Sequence, residues 1–234
     1  MRSPIRIALF ALLANSAWAQ TPPEVGEILK KVSEAHKASS RYEFEIDATG
    51  PEGGNRAPTT LHTHFAFSAP DRYRMEGFVP GLSVQDADFS EATVVYDRRT
   101  LWFYLPKSNQ YASIPAAEIT ADAPGDLGDL RPGALDHFLM WRYRNAAEFA
   151  KTAKFLREES IDIKGAKIDC LVLTVAPSGK LEYTWWVEKQ TYRIVREDDA
   201  GNSAVFTSIR LNEPIPDELF KFEPPAGAKR IEPQ

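Results

Sequence analysis

The stretch TVVYDRRTLWFYLPKSNQYASIP, Thr93 to Pro115, reads as three short antiparallel strands with turns at Asp97-Arg98-Arg99 and Pro106-Lys107-Ser108-Asn109. With a short loop in the first hairpin, residues whose numbers sum to the same odd value pair across it. Val94 and Tyr96 then share a face with Leu101, Phe103 and Leu105, while Val95, Trp102 and Tyr104 take the other. Two apolar faces place this hairpin in the middle of a sheet, with apolar material against at least one side, and not at a solvated edge.

Upstream, the period of two continues. Tyr73 and Met75 alternate with Arg72, Arg74 and Glu76, and before an Ala69-Pro70-Asp71 turn Leu61, Thr63, Phe65 and Phe67 form an inward face. Tyr42, Phe44 and Ile46 alternate with Glu43, Glu45 and Asp47, and a Pro51 to Asn55 turn follows. Before them Glu24 to Ala38 carries Val25, Ile28, Leu29, Val32 and Ala35 on one stripe, an amphipathic surface helix. Downstream, Ala121 to Pro132 is loop. Gly133 to Phe149 is helical, with Leu135, Phe138, Leu139, Met140 and Trp141 in its first half, and is the candidate cover over the sheet. From Phe155 the chain is a meander. Leu171, Leu173 and Val175, then Leu181, Tyr183, Trp185 and Val187, then Tyr192 to Glu197, then Val205, Thr207, Ile209 and Leu211 are successive strands, and Leu219 to Phe222 is a last one.

A length of 234 residues with 43% hydrophobic side chains suits one domain, here residues 20–234. Residues 1–19 have the order of a secretory signal: Arg2 and Arg6, the apolar run Ile7 to Ala14, then Ala17-Trp18-Ala19 before a cleavage point at Gln20. The run is too short to span a bilayer, and the residue directly after the cleavage point is Gln20 and not a cysteine, so the expected mature form is periplasmic, without a stable membrane anchor, and a monomer. The single Cys170 excludes an internal disulfide and reads as a buried thiol. A net charge of −5 argues against nucleic acid and anionic membrane surfaces as partners.

Catalytic groups are sparse. There are four histidines, one cysteine and no phosphate-cradling glycine motif. His62 and His64 share a side of their strand, but no third metal ligand lies nearby, and paired surface histidines are the expected reading. Asp136 and His137 are adjacent on a helix and point apart, against a serine-type triad. The carboxylates fall at outward strand positions or in turns, and Arg72, Arg74, Arg142 and Arg144 read as surface or rim charges. No enzyme activity, metal or cofactor is expected. The informative feature is a sheet with one long apolar face and few helices to cover it. Such a sheet curls, and the space it encloses is either packed solid or holds a lipid. The residues expected to line it are Phe65, Phe67, Leu101, Phe103, Phe138, Trp141, Leu171, Leu173, Tyr183 and Trp185. If the other face of the central hairpin is concave, Val95, Trp102 and Tyr104 replace Leu101 and Phe103.

Val94-Val95-Tyr96-Asp97-Arg98-Arg99-Thr100-Leu101-Trp102-Phe103-Tyr104 resembles the "DGKTLWFY" hairpin of the periplasmic lipoprotein-sorting carriers of the LolA/LolB type. Phe220 to Ala228 is similar to their closing F-x-F-x-P-P-x-G strand, and Phe65 to Met75 to their strand, proline turn and strand. The resemblance implies an α+β, mainly antiparallel fold: an unclosed β-barrel, or half-barrel, covered by α-helices, with a cavity for the acyl chains of lipoproteins or other lipids. It also implies handover between an inner-membrane transporter and an outer-membrane acceptor. At one position the chain departs: Ala69 stands before Pro70 where the carriers have an arginine that holds the lid shut. The alternatives are an envelope-stress or lipoprotein-sensing regulator of the same fold, and a metal-dependent hydrolase using His62, His64 and His137.

Overall fold

Strand β4 (Ala92–Tyr96) pairs with β5 (Thr100–Leu105), Val94 opposite Phe103 and Tyr96 opposite Leu101, in the register expected from the sequence. The turn is built by Asp97. Its Oδ1 accepts from the backbone N–H groups of Arg99 and Thr100 at 2.9 and 2.8 Å, its Oδ2 accepts from the Trp102 indole at 3.2 Å, and Arg98 takes the left-handed conformation (φ 83°). This computed structural model describes residues 24–50, 60–77, 91–120, 130–177 and 181–232, with no account of the Phe138 side chain. The expected signal at 1–19, the Pro51 to Asn55 turn and most of the loop before Pro132 lie outside the described residues.

Around that hairpin stand β3 (Arg72–Gly77), β2 (Thr60–Ser68) and β1 (Arg41–Thr49) on one side and β6 (Gln110–Pro115) on the other. The second meander is β7 (Lys154–Ile163), β8 (Ala166–Val175), β9 (Tyr183–Glu188), β10 (Ile194–Asp199) and β11 (Asn202–Leu211). The two halves join where β1 pairs with β11. With the two-residue β12 (Lys229–Arg230) parallel to β6, the order is β12-β6-β5-β4-β3-β2-β1-β11-β10-β9-β8-β7. The end strands do not pair with each other, so among the described residues the sheet is open. Gly77 ends β3 at φ +97°, and a Cβ there would lie 1.9 Å from the His62 carbonyl oxygen, so the close approach to β2 requires glycine.

Helices α1 (Val25–Lys37) and α2 (Pro132–Arg144) lie on one face of the sheet. The helix expected through Phe149 stops at Arg144. Asn145 caps it, its amide Nδ2 donating to the Trp141 carbonyl at 2.8 Å, and Ala146–Phe149 continues as a 3-10 turn. The Ala147 N–H donates to the buried Ser33 hydroxyl at 2.9 Å, which ties that turn to α1.

The strand expected at Leu219 to Phe222 is instead the 3-10 turn Asp217–Phe220 and an irregular segment on the outer face. There Phe222 packs against Trp102 and Tyr104, with ring centroids 5.6 and 5.9 Å apart, and the Arg72 guanidinium covers Phe220 at 4.7 Å. The outer apolar face of the central hairpin is therefore covered by the chain's own C-terminal segment, and the concave face is the one bearing Leu101 and Phe103.

Candidate functional site

The inner face is one continuous apolar surface from Leu101 on β5, through Tyr73, Phe65, Phe67, Tyr42 and Phe44, to Phe206, Trp185 and Leu173 in the second meander. Its roof is Ile28, Leu29 and Val32 of α1 and Leu135, Met140 and Tyr143 of α2. Of the residues expected to line a cavity, Phe65, Phe67, Leu101, Leu171, Leu173 and Trp185 are buried in this concavity, and Phe103 and Tyr183 stand at its margin. Trp141 does not belong there. It is 37% exposed on the outside of α2, beside His137 and Phe149, because a residue next to the inward Met140 is rotated about 100° away from it. The chain's own side chains fill the concavity: Trp185, Tyr42, Tyr73, Phe65 and Met140 are fully enclosed.

Two bulges decide which residues reach the inside. Ile194 pairs with Val187 but Arg196 pairs with Trp186, so the residue between them is extra, and Glu197, not Arg196, faces inward opposite Trp185. On β11, Ile46 lies opposite Phe206 and Glu45 opposite Ser208, so Thr207 is bulged. Phe206 enters the core in place of Val205, which joins the outer cluster of Cys170, Val172 and Trp186.

Glu197 is 7% exposed and is the charged anchor of the roof. Arg142 of α2 donates to both its oxygens, Nε to Oε2 at 2.9 Å and Nη2 to Oε1 at 2.6 Å. The Trp185 indole donates to Oε2 at 2.8 Å and the Tyr143 hydroxyl at 3.2 Å. Burial and the adjacent carboxylate raise the Tyr143 pKa, which keeps the phenol a neutral donor. Arg142 and Glu197 are thus neither rim nor outward charges; they fasten the cover to the sheet across 55 positions of sequence.

The N-terminal end of α2 has a second fastening. Asp136 accepts from the Tyr42 hydroxyl at 2.9 Å and from both terminal nitrogens of Arg144 at 2.6 and 3.0 Å, and Arg144 Nη2 also donates to the Ser39 carbonyl at 2.8 Å. The Tyr73 hydroxyl donates to the Leu130 carbonyl at 2.6 Å. An open cleft of about 370 Å³ lies there, lined by Lys37, Ser39, Phe67, Ala69, Pro70, Gly133, Asp136 and Arg144 among others.

His36 closes the roof between the helices. It is 3% exposed, its ring centroid is 5.4 Å from that of Tyr143, and its Nδ1, 2.8 Å from the Val32 carbonyl, carries the proton. Burial lowers its pKa to about 4, outweighing that hydrogen bond. A depressed histidine pKa means that the unfolded chain binds the proton first as pH falls. Stability present above pH 6.5 is therefore lost between 6.5 and about 4, by on the order of 3 kcal/mol from this group. Urea unfolding at stepped pH should show that decline, and His36→Leu should flatten it.

On the outer face His62 lies 2.7 Å from Asp47 and 2.8 Å from Glu45, and His64 lies 2.9 Å from Glu43 and 3.4 Å from Glu76. Each imidazole is spent on carboxylates of neighbouring strands, and no group of three metal-ligating side chains converges among the described residues. The Asp47 hydrogen bond chiefly raises the His62 pKa. Burial pushes the Cys170 thiol up to about 12, away from the reactive thiolate.

An open antiparallel sheet bent around an apolar face and roofed by helices defines the LolA/LolB-like lipoprotein-carrier fold. Residues 26–233 match the family described as "Predicted periplasmic protein (DUF2092)", and the chain belongs to that family. It is 23% identical over 204 residues to the uncharacterized protein MJ0687 of Methanocaldococcus jannaschii; that match takes in 87% of this chain but only 52% of the relative, about half its length. It is also 23% identical over 224 residues to the outer-membrane lipoprotein carrier protein of Pasteurella multocida, across 94% of this chain and 91% of the relative. The crystal structure of LprF from Mycobacterium bovis superposes with a TM-score of 0.52 at 14% identity, over 83% of this chain and 95% of that one, a likeness of fold.

Proposed function

We propose that the chain is a periplasmic carrier that binds the acyl chains of a lipoprotein, or of another lipid, noncovalently in its apolar concavity, with α2 swinging off the sheet to admit them. The observation that carries this reading is the way the roof is attached. The apolar inner face runs through both meanders, while the helix above it is positioned by the Arg142–Glu197 and Arg144–Asp136–Tyr42 links. A buried ion pair contributes little net stability, because its attraction is offset by lost hydration. Opening rehydrates both partners, so the links set the closed position without making release prohibitive.

Each buried acyl methylene favours binding by about 0.8 kcal/mol, which makes uptake useful and handover reversible. No bond is made or broken, and no cofactor or metal is needed. The expected exchange partners are an inner-membrane donor and an outer-membrane acceptor, as the resemblance to the lipoprotein-sorting carriers implies.

Native mass spectrometry of protein recovered from a bacterial periplasm, followed by organic extraction, tests the reading. Copurifying lipid or lipoprotein, exchangeable with a fluorescent fatty acid, is the expected result. Protein that is empty and takes up no acyl probe overturns it.

A further inference from the structure

We propose that the cleft between the end of α1, the Ala69-Pro70 turn and the start of α2 is a head-group subsite for an anionic amphiphile, a carboxylate or phosphate carried on an acyl chain. The inference rests on the carrier reading above and deepens it, since it assigns charge to the cargo. Three elements meet around the cleft of about 370 Å³, and its wall includes Phe67, a member of the apolar concavity. A ligand seated there has its polar end beside the cleft's charges and its hydrocarbon directed past Phe67 towards the core.

The charges favour an anion. Asp136 is already neutralised by Arg144 and hydrogen-bonded by Tyr42. Lys37, exposed on the cleft wall, makes no ion pair among the described residues and is the uncompensated charge. The Ser39 side chain is the second sign. Ser39 is 4% exposed, yet its hydroxyl has no hydrogen-bond partner among the described residues, and neither has Arg144 Nε. Buried polar atoms are almost always paired; of the three unpaired ones among the described residues, two belong to residues that line this cleft, and the third, Arg72 Nε, does not.

The start of α2 adds to this. Its first N–H groups lack intrahelical partners, Arg131 provides no side-chain cap, and a Cβ at Gly133 would meet nothing within 4 Å, so the backbone there is approachable. The chain's overall negative charge opposes adsorption to an anionic membrane but does not cancel this local arrangement, since fields beyond about 10 Å are screened at ordinary salt.

The test compares matched probes on the purified, delipidated full chain: oleic acid against oleyl alcohol, and dioleoyl phosphatidic acid against diolein, at pH 8 and low salt. The anionic member of a pair should bind roughly 10-fold or more tightly, as charge-assisted hydrogen bonds allow. Which pair shows the larger ratio tells whether the natural source is a free acid or a phospholipid. Lys37→Glu should bring the ratio towards one. Ser39→Ala should reduce it while raising the melting temperature of the empty protein by about 2–4 °C, because an unsatisfied buried hydroxyl is removed. Equal affinity for the charged and neutral members overturns the subsite and leaves the carrier reading standing. A preference that survives both substitutions overturns the subsite as well. Failure to bind any of the probes overturns both.

Discussion

Arg142→Met is expected to destabilise the protein by about 3–5 kcal/mol, because it leaves Glu197 charged and buried with only the Trp185 and Tyr143 donors. Adding Glu197→Gln should recover most of the loss: the uncompensated charge is gone, and the amide oxygen still accepts from Trp185. The pair therefore couples strongly in a double-mutant cycle read by urea unfolding. The same double variant tests the fastening role, since with the ion pair removed and the fold retained, acyl uptake should be faster than in the parent. An additive cycle would mean that Arg142 does not hold the roof through Glu197.

Met140→Ala should move stability and affinity in opposite directions. Met140 is fully enclosed between α2 and the sheet, so truncation leaves a void and costs about 2–5 kcal/mol. That void replaces volume which an incoming hydrocarbon must otherwise displace. With about 0.8 kcal/mol per methylene accommodated, a fluorescent fatty acid should bind roughly 10-fold more tightly. A variant that loses stability and gains nothing in binding would mean that the concavity is core and no more, and would count against carriage.

Much of the architecture is readable from alternation alone. Val94, Tyr96, Leu101 and Phe103 face inward because a short hairpin turn fixes which residues pair, and the Asp97 turn enforces that register. The stripes on β2, β3 and β8 and the apolar face of α1 are equally local. Six of the proposed lining residues, among them Phe65, Leu101 and Trp185, lie fully inside the concavity for that reason. The reading failed where a strand carries an extra residue. Val205 and Thr207 share the face of Ile209 and Leu211 by count, yet a bulge turns Phe206 to the core instead, and a second bulge on β10 turns Glu197 inward. The charged run Arg196 to Asp199 in β10 fits an outward face, so nothing in it singled out Glu197.

The sequence by itself determined most of the elements, their order and the greater part of their inward faces, since a period of two or 3.6 is imposed by the backbone on each segment separately. It also determined the outline of the carrier fold through the hairpin and the Phe220–Ala228 motif. Only the tertiary structure decided what fastens the roof and where the cleft opens. Arg142 meets Glu197 across 55 positions, and Tyr42 meets Asp136 across 94. Bulges and helix placement arise from how neighbouring strands and helices pack, and a bulge of one residue exchanges the faces of everything beyond it.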